Sequence, residues 1–185
     1  MTLGDIMDYK EFLELTQTRQ ATRGFLDKRV EQEKLDKIAQ LVRLAPSACN
    51  SQPWKMYFVS SPDMVKKVTS CFQGENRNLF TSTATAVVVI SEVMPENLKP
   101  DVVKKYGLDH FVKYDVGELL AYITLSAKTL GVDSCIIGWM DAEKLKTTLN
   151  AKENEEFGVA VVLGYSDAPL REKLRKPLAE IVEFI

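Results

Sequence analysis

The chain has 185 residues, 45% of them hydrophobic and 27% charged, and 24 Lys and Arg against 26 Asp and Glu leave a formal charge of −2. That is enough apolar chain for one sizeable core in one domain over residues 1–185, and the charge balance gives no general attraction to nucleic acid or anionic membrane. A single histidine, His110, with three scattered cysteines (Cys49, Cys71 and Cys135), argues against a Cys/His zinc site and against histidine-dependent nucleophilic catalysis.

The opening MTLGDIMDYKEFLEL lacks the basic region and long apolar stretch of a signal peptide. No apolar run approaches the roughly 18 residues of a membrane span, so a reducing cytoplasmic setting is expected. DYKEFLELTQTR carries Tyr9, Phe12, Leu13 and Leu15 at helical spacing, and EQEKLDKIAQLVRLA does so with Leu35, Ile38, Leu41 and Val42. KMYFVSS reads as a strand, PDMVKKVTSCF as a helix opened by Pro62, and TAVVVIS as a central strand buried on both faces. Residues 95–114, punctuated by Pro95, Pro100 and Gly107, read as a loop with a short helix, a cover over a site. VGELLAYITLSAKTLG is a strong amphipathic helix stopped by Gly131. VDSCIIG is a strand, DAEKLKTTL a helix capped by Asp141, and EFGVAVVLGYS another buried strand. Four strands interleaved with five or six helices give a layered α/β or α+β fold. No dinucleotide fingerprint or phosphate-binding P-loop occurs.

Three segments carry more than packing. TRQATRGF places Arg19 and Arg23 four apart, one helical turn, at the end of the first helix. REKLRKP holds four cations, Arg171, Lys173, Arg175 and Lys176, beside Glu172. Two basic clusters in a net-acidic chain suit one dianionic phosphate, which arginine meets with bidentate, charge-assisted bonds. The connection RLAPSACNSQPW, far longer than a turn requires, offers the amides of Asn50 and Gln52 between Pro46 and Pro53, with Trp54 at its exit. Such a loop suits a planar heterocycle with polar edges, or a packed loop around Trp54.

Taken in order, TRQATRGF, APSACNSQPW, LGVDSCIIGW and VVLGYSD…REKLRKPLAEIV make the chain resemble the FMN-dependent nitroreductase family over residues 12–182. The resemblance implies an α+β layered fold. Its central mixed, mainly antiparallel sheet would be flanked by helices, and its C-terminal tail would extend onto a partner subunit. It implies FMN as cofactor, with Arg19, Gln20 and Ala21 near the phosphate and ribityl chain. Ala21 stands where the family usually has serine, so one hydroxyl contact is lost. Lys173 and Arg175 match a phosphate clamp, and Arg23 a cation at the pyrimidine edge. Cys135, Ile136, Ile137 and Gly138 match the strand end beside the isoalloxazine, where a backbone N–H lies near N5. Some relatives carry glutamate at the position of Ile137. Asn76 matches an asparagine near the pyrimidine ring. Pro46, Ser47, Ala48 and Asn50 match a loop that reaches the flavin held mainly by the other subunit of a homodimer.

The implied activity is hydride transfer from NAD(P)H through flavin N5 to an electron-poor acceptor, a nitroaromatic, quinone or similar molecule, by a ping-pong cycle. Arg23 and Gly138 are the residues expected at the redox centre. Trp139, Tyr106, Phe111 and Tyr114 are available to line the exposed flavin face. Two other readings fit the same residues: a flavin-binding or flavin-processing protein without reductase activity, and an interaction module that kept the fold and lost the cofactor.

Overall fold

A computed structural model describes residues 8–185; the leader reading of residues 1–7 lies outside them. Four strands, β1 (Trp54–Val59), β2 (Ala86–Glu92), β3 (Asp133–Ile137) and β4 (Glu156–Gly164), form one sheet in the order β1-β2-β4-β3. Every neighbouring pair is antiparallel. The parallel component of the expected mixed sheet is confined to a bridge between Ala21 and Ser134 at the β3 edge.

β2 is buried along its whole length, and its two faces build two cores. Ala86, Val88 and Ile90 face α2 (Gln32–Val42) and α5 (Val112–Thr129), while Val87 and Val89 face α3 (Pro62–Ser70) and α6 (Ala142–Leu149). The period-two alternation of a strand thus serves both layers of a helix–sheet–helix sandwich. The fold class agrees with the sequence expectation.

α1 (Tyr9–Thr18) opens on a capping box, the Asp8 carboxylate accepting from the Glu11 N–H at 2.8 Å and Glu11 Oε2 from the Asp8 N–H at 3.0 Å. It buries no residue, and its apolar side chains Tyr9, Phe12 and Leu13 are exposed. On α2, Leu41 also proves exposed, because Leu35, Ile38 and Val42 form the face that meets the sheet. α4 (Pro100–Tyr106) is the short helix expected inside residues 95–114. α5 starts at Val112, four residues earlier than the sequence pattern indicates, since Val112 extends the buried stripe of Val116, Leu119, Ile123 and Ala127. It ends as expected at Gly131 (φ 70°), with Gly131 N–H on Lys128 C=O and Val132 N–H on Ala127 C=O. Asp141 caps α6, accepting from the Lys144 N–H at 3.0 Å. Beyond β4 the chain forms no further strand; Leu174, Leu178, Ile181 and Phe184 stand exposed along it.

Candidate functional site

The site begins where α1 stops. Arg19 is the C-cap with extended backbone (φ −65°, ψ 126°), so the expected shared helical face for Arg19 and Arg23 is corrected. Ala21 bridges Ser134, and the Thr22 N–H donates to the Ser134 carbonyl at 2.9 Å, so this segment lies along the β3 edge. In extended chain four residues span up to about 13 Å, so the two side chains do not share one helical face. The segment is anchored further on: Phe25 crosses the end of β4 so closely that a Cβ on Gly164 would meet its ring at 2.7 Å.

The basic tail returns to the same segment. Gln20 Nε2 donates to the Pro169 carbonyl at 3.2 Å, and Gln20 Oε1 accepts from the Arg171 N–H at 3.1 Å. The Arg171 guanidinium donates to the Ala21 carbonyl and the Lys173 ammonium to the Arg19 carbonyl. Arg19, Lys173 and Arg175 thereby share the wall of one cleft of about 600 Å³, opposite Gly117, Leu120 and Thr124 of α5, with Ile136 at its edge. That volume lies within the range of about 300–1,000 Å³ usual for small-molecule sites. Among the described residues, no carboxylate pairs with Arg19, Arg171, Lys173 or Arg175. Partial burial, then the charges of Arg19, Arg175 and Arg171, push the Lys173 ammonium below its ordinary pKa. A cluster of cations with no internal counter-ion is suited to an external anion of high charge.

From this cleft β3 leads to an open strand end. Ile136 is exposed between buried Cys135 and Ile137, and a Cβ added at Gly138 meets nothing within 4 Å. Beside it the Arg77 guanidinium stands 4.3 Å from the centroid of the Trp139 ring, and a Cβ on Gly74 would come 3.4 Å from Trp139 Nε1. Asn76, exposed with φ 59°, belongs to this 74–77 turn, so the structure brings its segment to the β3 end. Arg23 is exposed, and its charge acts on the Cys135 thiol more strongly than those of Arg171 or Arg19.

The residues match the nitroreductase family model over residues 16–77 and 65–165. The chain belongs to the nitroreductase family. A relative from Archaeoglobus fulgidus, provisionally named NADH dehydrogenase/NAD(P)H nitroreductase, is 30% identical over 160 residues, covering 84% of this chain and 86% of its own. The crystal structure of a nitroreductase family protein from Streptococcus pneumoniae TIGR4 superposes with a TM-score of 0.81 at 24% identity, covering 94% of this chain and 100% of that one. An FMN-dependent nitroreductase from Clostridium difficile R20291 superposes at 0.73 and 22% identity, covering 93% and 98%. With this family and this fold, the chain is an oxidoreductase of nitroreductase type.

Within this nitroreductase-family chain, the loop carrying Pro46, Ser47, Ala48 and Asn50 does not enter the cationic cleft. It is held to α5 instead, where the buried Asp115 carboxylate accepts from the Ala48 N–H at 3.0 Å and from the Ser51 hydroxyl at 3.4 Å. Ser47 Oγ accepts from the Gln52 N–H at 2.9 Å, closing the loop, while Cys49, Asn50 and Gln52 adopt left-handed backbone. The Gln52 amide is spent on Asn50, at 3.3 Å from both its carbonyl oxygens. Tyr106, Phe111 and Tyr114 form a separate cluster around His110, which stacks on Tyr106 at 5.0 Å. Trp139 stands apart from them, with Arg77.

Asp115, which holds the 48–51 loop, was not singled out from the sequence. The available signal was a carboxylate set in the apolar stripe between Val112 and Val116. Arg171 was visible only as part of a charge run. Cys135 has three arginines near it despite having no basic neighbour in sequence. Burial nevertheless outweighs Arg23, Arg171 and Arg19, and raises the thiol pKa.

Proposed function

We propose that this protein uses FMN to carry hydride from NAD(P)H to an electron-poor acceptor, a nitroaromatic, quinone or similar molecule, in a ping-pong cycle. The observation that carries the reading is the unpaired cation group on the wall of a 600 Å³ cleft beside the open end of β3. The residues present fit the cofactor. Arg19, Lys173 and Arg175 supply charge-assisted donors for a phosphate, while exposed Ile136 and open space at Gly138 leave room for a ring at the strand end. FMN, when bound, supplies the two-electron redox chemistry that the side chains lack.

The protein's own work is to bind, orient and supply charge. Arg23 places a permanent cation near the strand end, where negative charge at the pyrimidine edge would be stabilised. Gly138 leaves one face free of any side chain. Cys135, with its raised pKa, stays a thiol and takes no part. A cytoplasmic setting belongs to this reading, as does a homodimer with FMN at the subunit interface. Support for the dimer comes from the exposed apolar residues of α1 and the tail, and from the 46–52 loop, which Asp115 holds outside its own chain's cleft. In this reading, that loop serves the partner's cofactor.

Absorbance of the purified protein with added FMN tests the proposal. A bound flavin spectrum bleached by NADH or NADPH, and restored by a quinone or nitroaromatic, is the expected outcome. Bleaching by dithionite alone would leave a flavin-binding protein without nicotinamide-driven activity. Failure to take up FMN would sink the reading.

A further inference from the structure

Gln20 falls among the cofactor contacts that the family resemblance implies, yet its amide is turned toward the protein's own chain. It donates to Pro169 and accepts from Arg171, two alternate residues of the returning tail. A primary amide carries one donor side and one acceptor side, so it can replace a peptide group in a β ladder. Arg171 on the Ala21 carbonyl and Lys173 on the Arg19 carbonyl complete the seam. These contacts join segments about 150 residues apart in sequence, outside the main sheet.

The seam works against repulsion. Arg19, Arg171, Lys173 and Arg175 crowd together, and among the described residues no carboxylate offsets them. Without neutral tethers the tail cations would separate until an anion drew them in. We infer that Gln20 is a positioning residue that pins the tail's cations beside Arg19 in the cofactor-free protein, so that the phosphate of FMN meets a preformed site. The inference rests on the FMN reading and adds to it a neutral holder, Gln20, that works beside the Arg171 and Lys173 contacts without touching the phosphate itself. Preorganisation removes an ordering cost from the binding step. Its effect is confined to the phosphate end, so a flavin lacking phosphate is indifferent to Gln20.

Gln20→Met keeps the side chain's length and removes both hydrogen bonds. FMN and riboflavin are titrated into wild type and variant, following flavin fluorescence. The expected result is an FMN Kd raised about 5- to 50-fold, with the riboflavin Kd within about twofold of wild type. Equal weakening of both ligands would mean a merely structural role and overturn the inference, as would no change in either. A wild type that binds FMN no tighter than riboflavin would remove the phosphate site itself, a failure of the underlying reading. Hydrogen exchange on the unaltered cofactor-free protein gives a second measurement, independent of whether the variant folds. The Arg171 amide is expected to be protected before FMN is added. Free exchange there, with protection appearing only on FMN binding, would overturn the preformed site.

Discussion

Removing Arg175 tests the phosphate assignment with little collateral damage. Its guanidinium lines the cleft and, among the described residues, hydrogen-bonds only to the neighbouring Leu174 carbonyl, at 2.8 Å. Arg175→Ala therefore breaks no long-range hydrogen bond among the described residues, and it removes one of the charges that depress the Lys173 pKa. The cofactor-free protein should keep its melting temperature or gain slightly. Losing a charge-assisted contact to a phosphate costs about 1.5–3 kcal/mol, so FMN should bind about 10- to 150-fold more weakly while riboflavin binds as before. At saturating FMN, the midpoint potential should stay at the wild-type value, because the lost charge sits at the phosphate end. Arg23 does not line the cleft, and its charge acts on the Cys135 thiol of β3 more strongly than those of Arg171 or Arg19. Arg23→Ala should bind FMN with a smaller penalty but lower the two-electron potential by roughly 30 mV, equivalent to about 1.4 kcal/mol. Spectroelectrochemistry on both FMN-saturated variants, with wild type alongside, gives the answer. If Arg175→Ala moves the potential and Arg23→Ala does not, the cofactor lies in the opposite sense, with its ring at Arg175.

Truncation before Pro177 removes the exposed Leu178, Ile181 and Phe184, and should give monomers or aggregates on size exclusion; a stable truncated dimer would count against the tail's role. Cys135→Ala should keep turnover within a few-fold, since burial holds the thiol protonated; complete loss of turnover with FMN still bound would show that the thiol takes part. Burial alone would raise the Glu155 pKa, but hydrogen bonds from Tyr57 at 2.6 Å and Lys55 at 3.0 Å pull it down to about 2. With the folded pKa below the ordinary 4.5, this carboxylate's stabilisation is complete above that value and fades as pH falls from 4.5 toward 2. Discounted for the half-exposed Lys55, it amounts to about 1–2 kcal/mol. Glu155→Gln should flatten the acid limb of a denaturation-versus-pH profile, and an unchanged limb would show that the ion pair does not hold in solution.

What the sequence made legible was whatever depends on pattern within one segment. The four strands, the Pro62 and Asp141 helix starts and the Gly131 stop are written in residues adjacent to the features they control. The basic tail was visible because its four cations cluster within six residues, 171–176. Asp115 and Gln20 were not legible as holders, because each acts on a backbone far along the chain: Asp115 on the 48–51 loop, and Gln20 on residues 169–171. Nothing local distinguishes such a side chain from an ordinary polar one until the fold sets its partner opposite.

The Arg19–Arg23 pair shows how a wrong local geometry altered the meaning of a correct residue choice. One helical turn would hold two guanidinia about 5–6 Å apart at their Cβ atoms, and both would press on the same anion. Extended chain can instead separate two residues four apart by up to about 13 Å. Arg19 lines the cleft with Lys173 and Arg175, whereas Arg23 does not line it and acts more strongly than Arg19 on the Cys135 thiol. An elongated ligand with a phosphate at one end and an electron-accepting ring at the other needs one cation at each end. A compact anion needs none at the second. Under the proposed function, a spacing of that order suits FMN better than a simple phosphate ester. The two-variant experiment above asks that question directly, since a compact anion would leave Arg23 with no effect on any redox property.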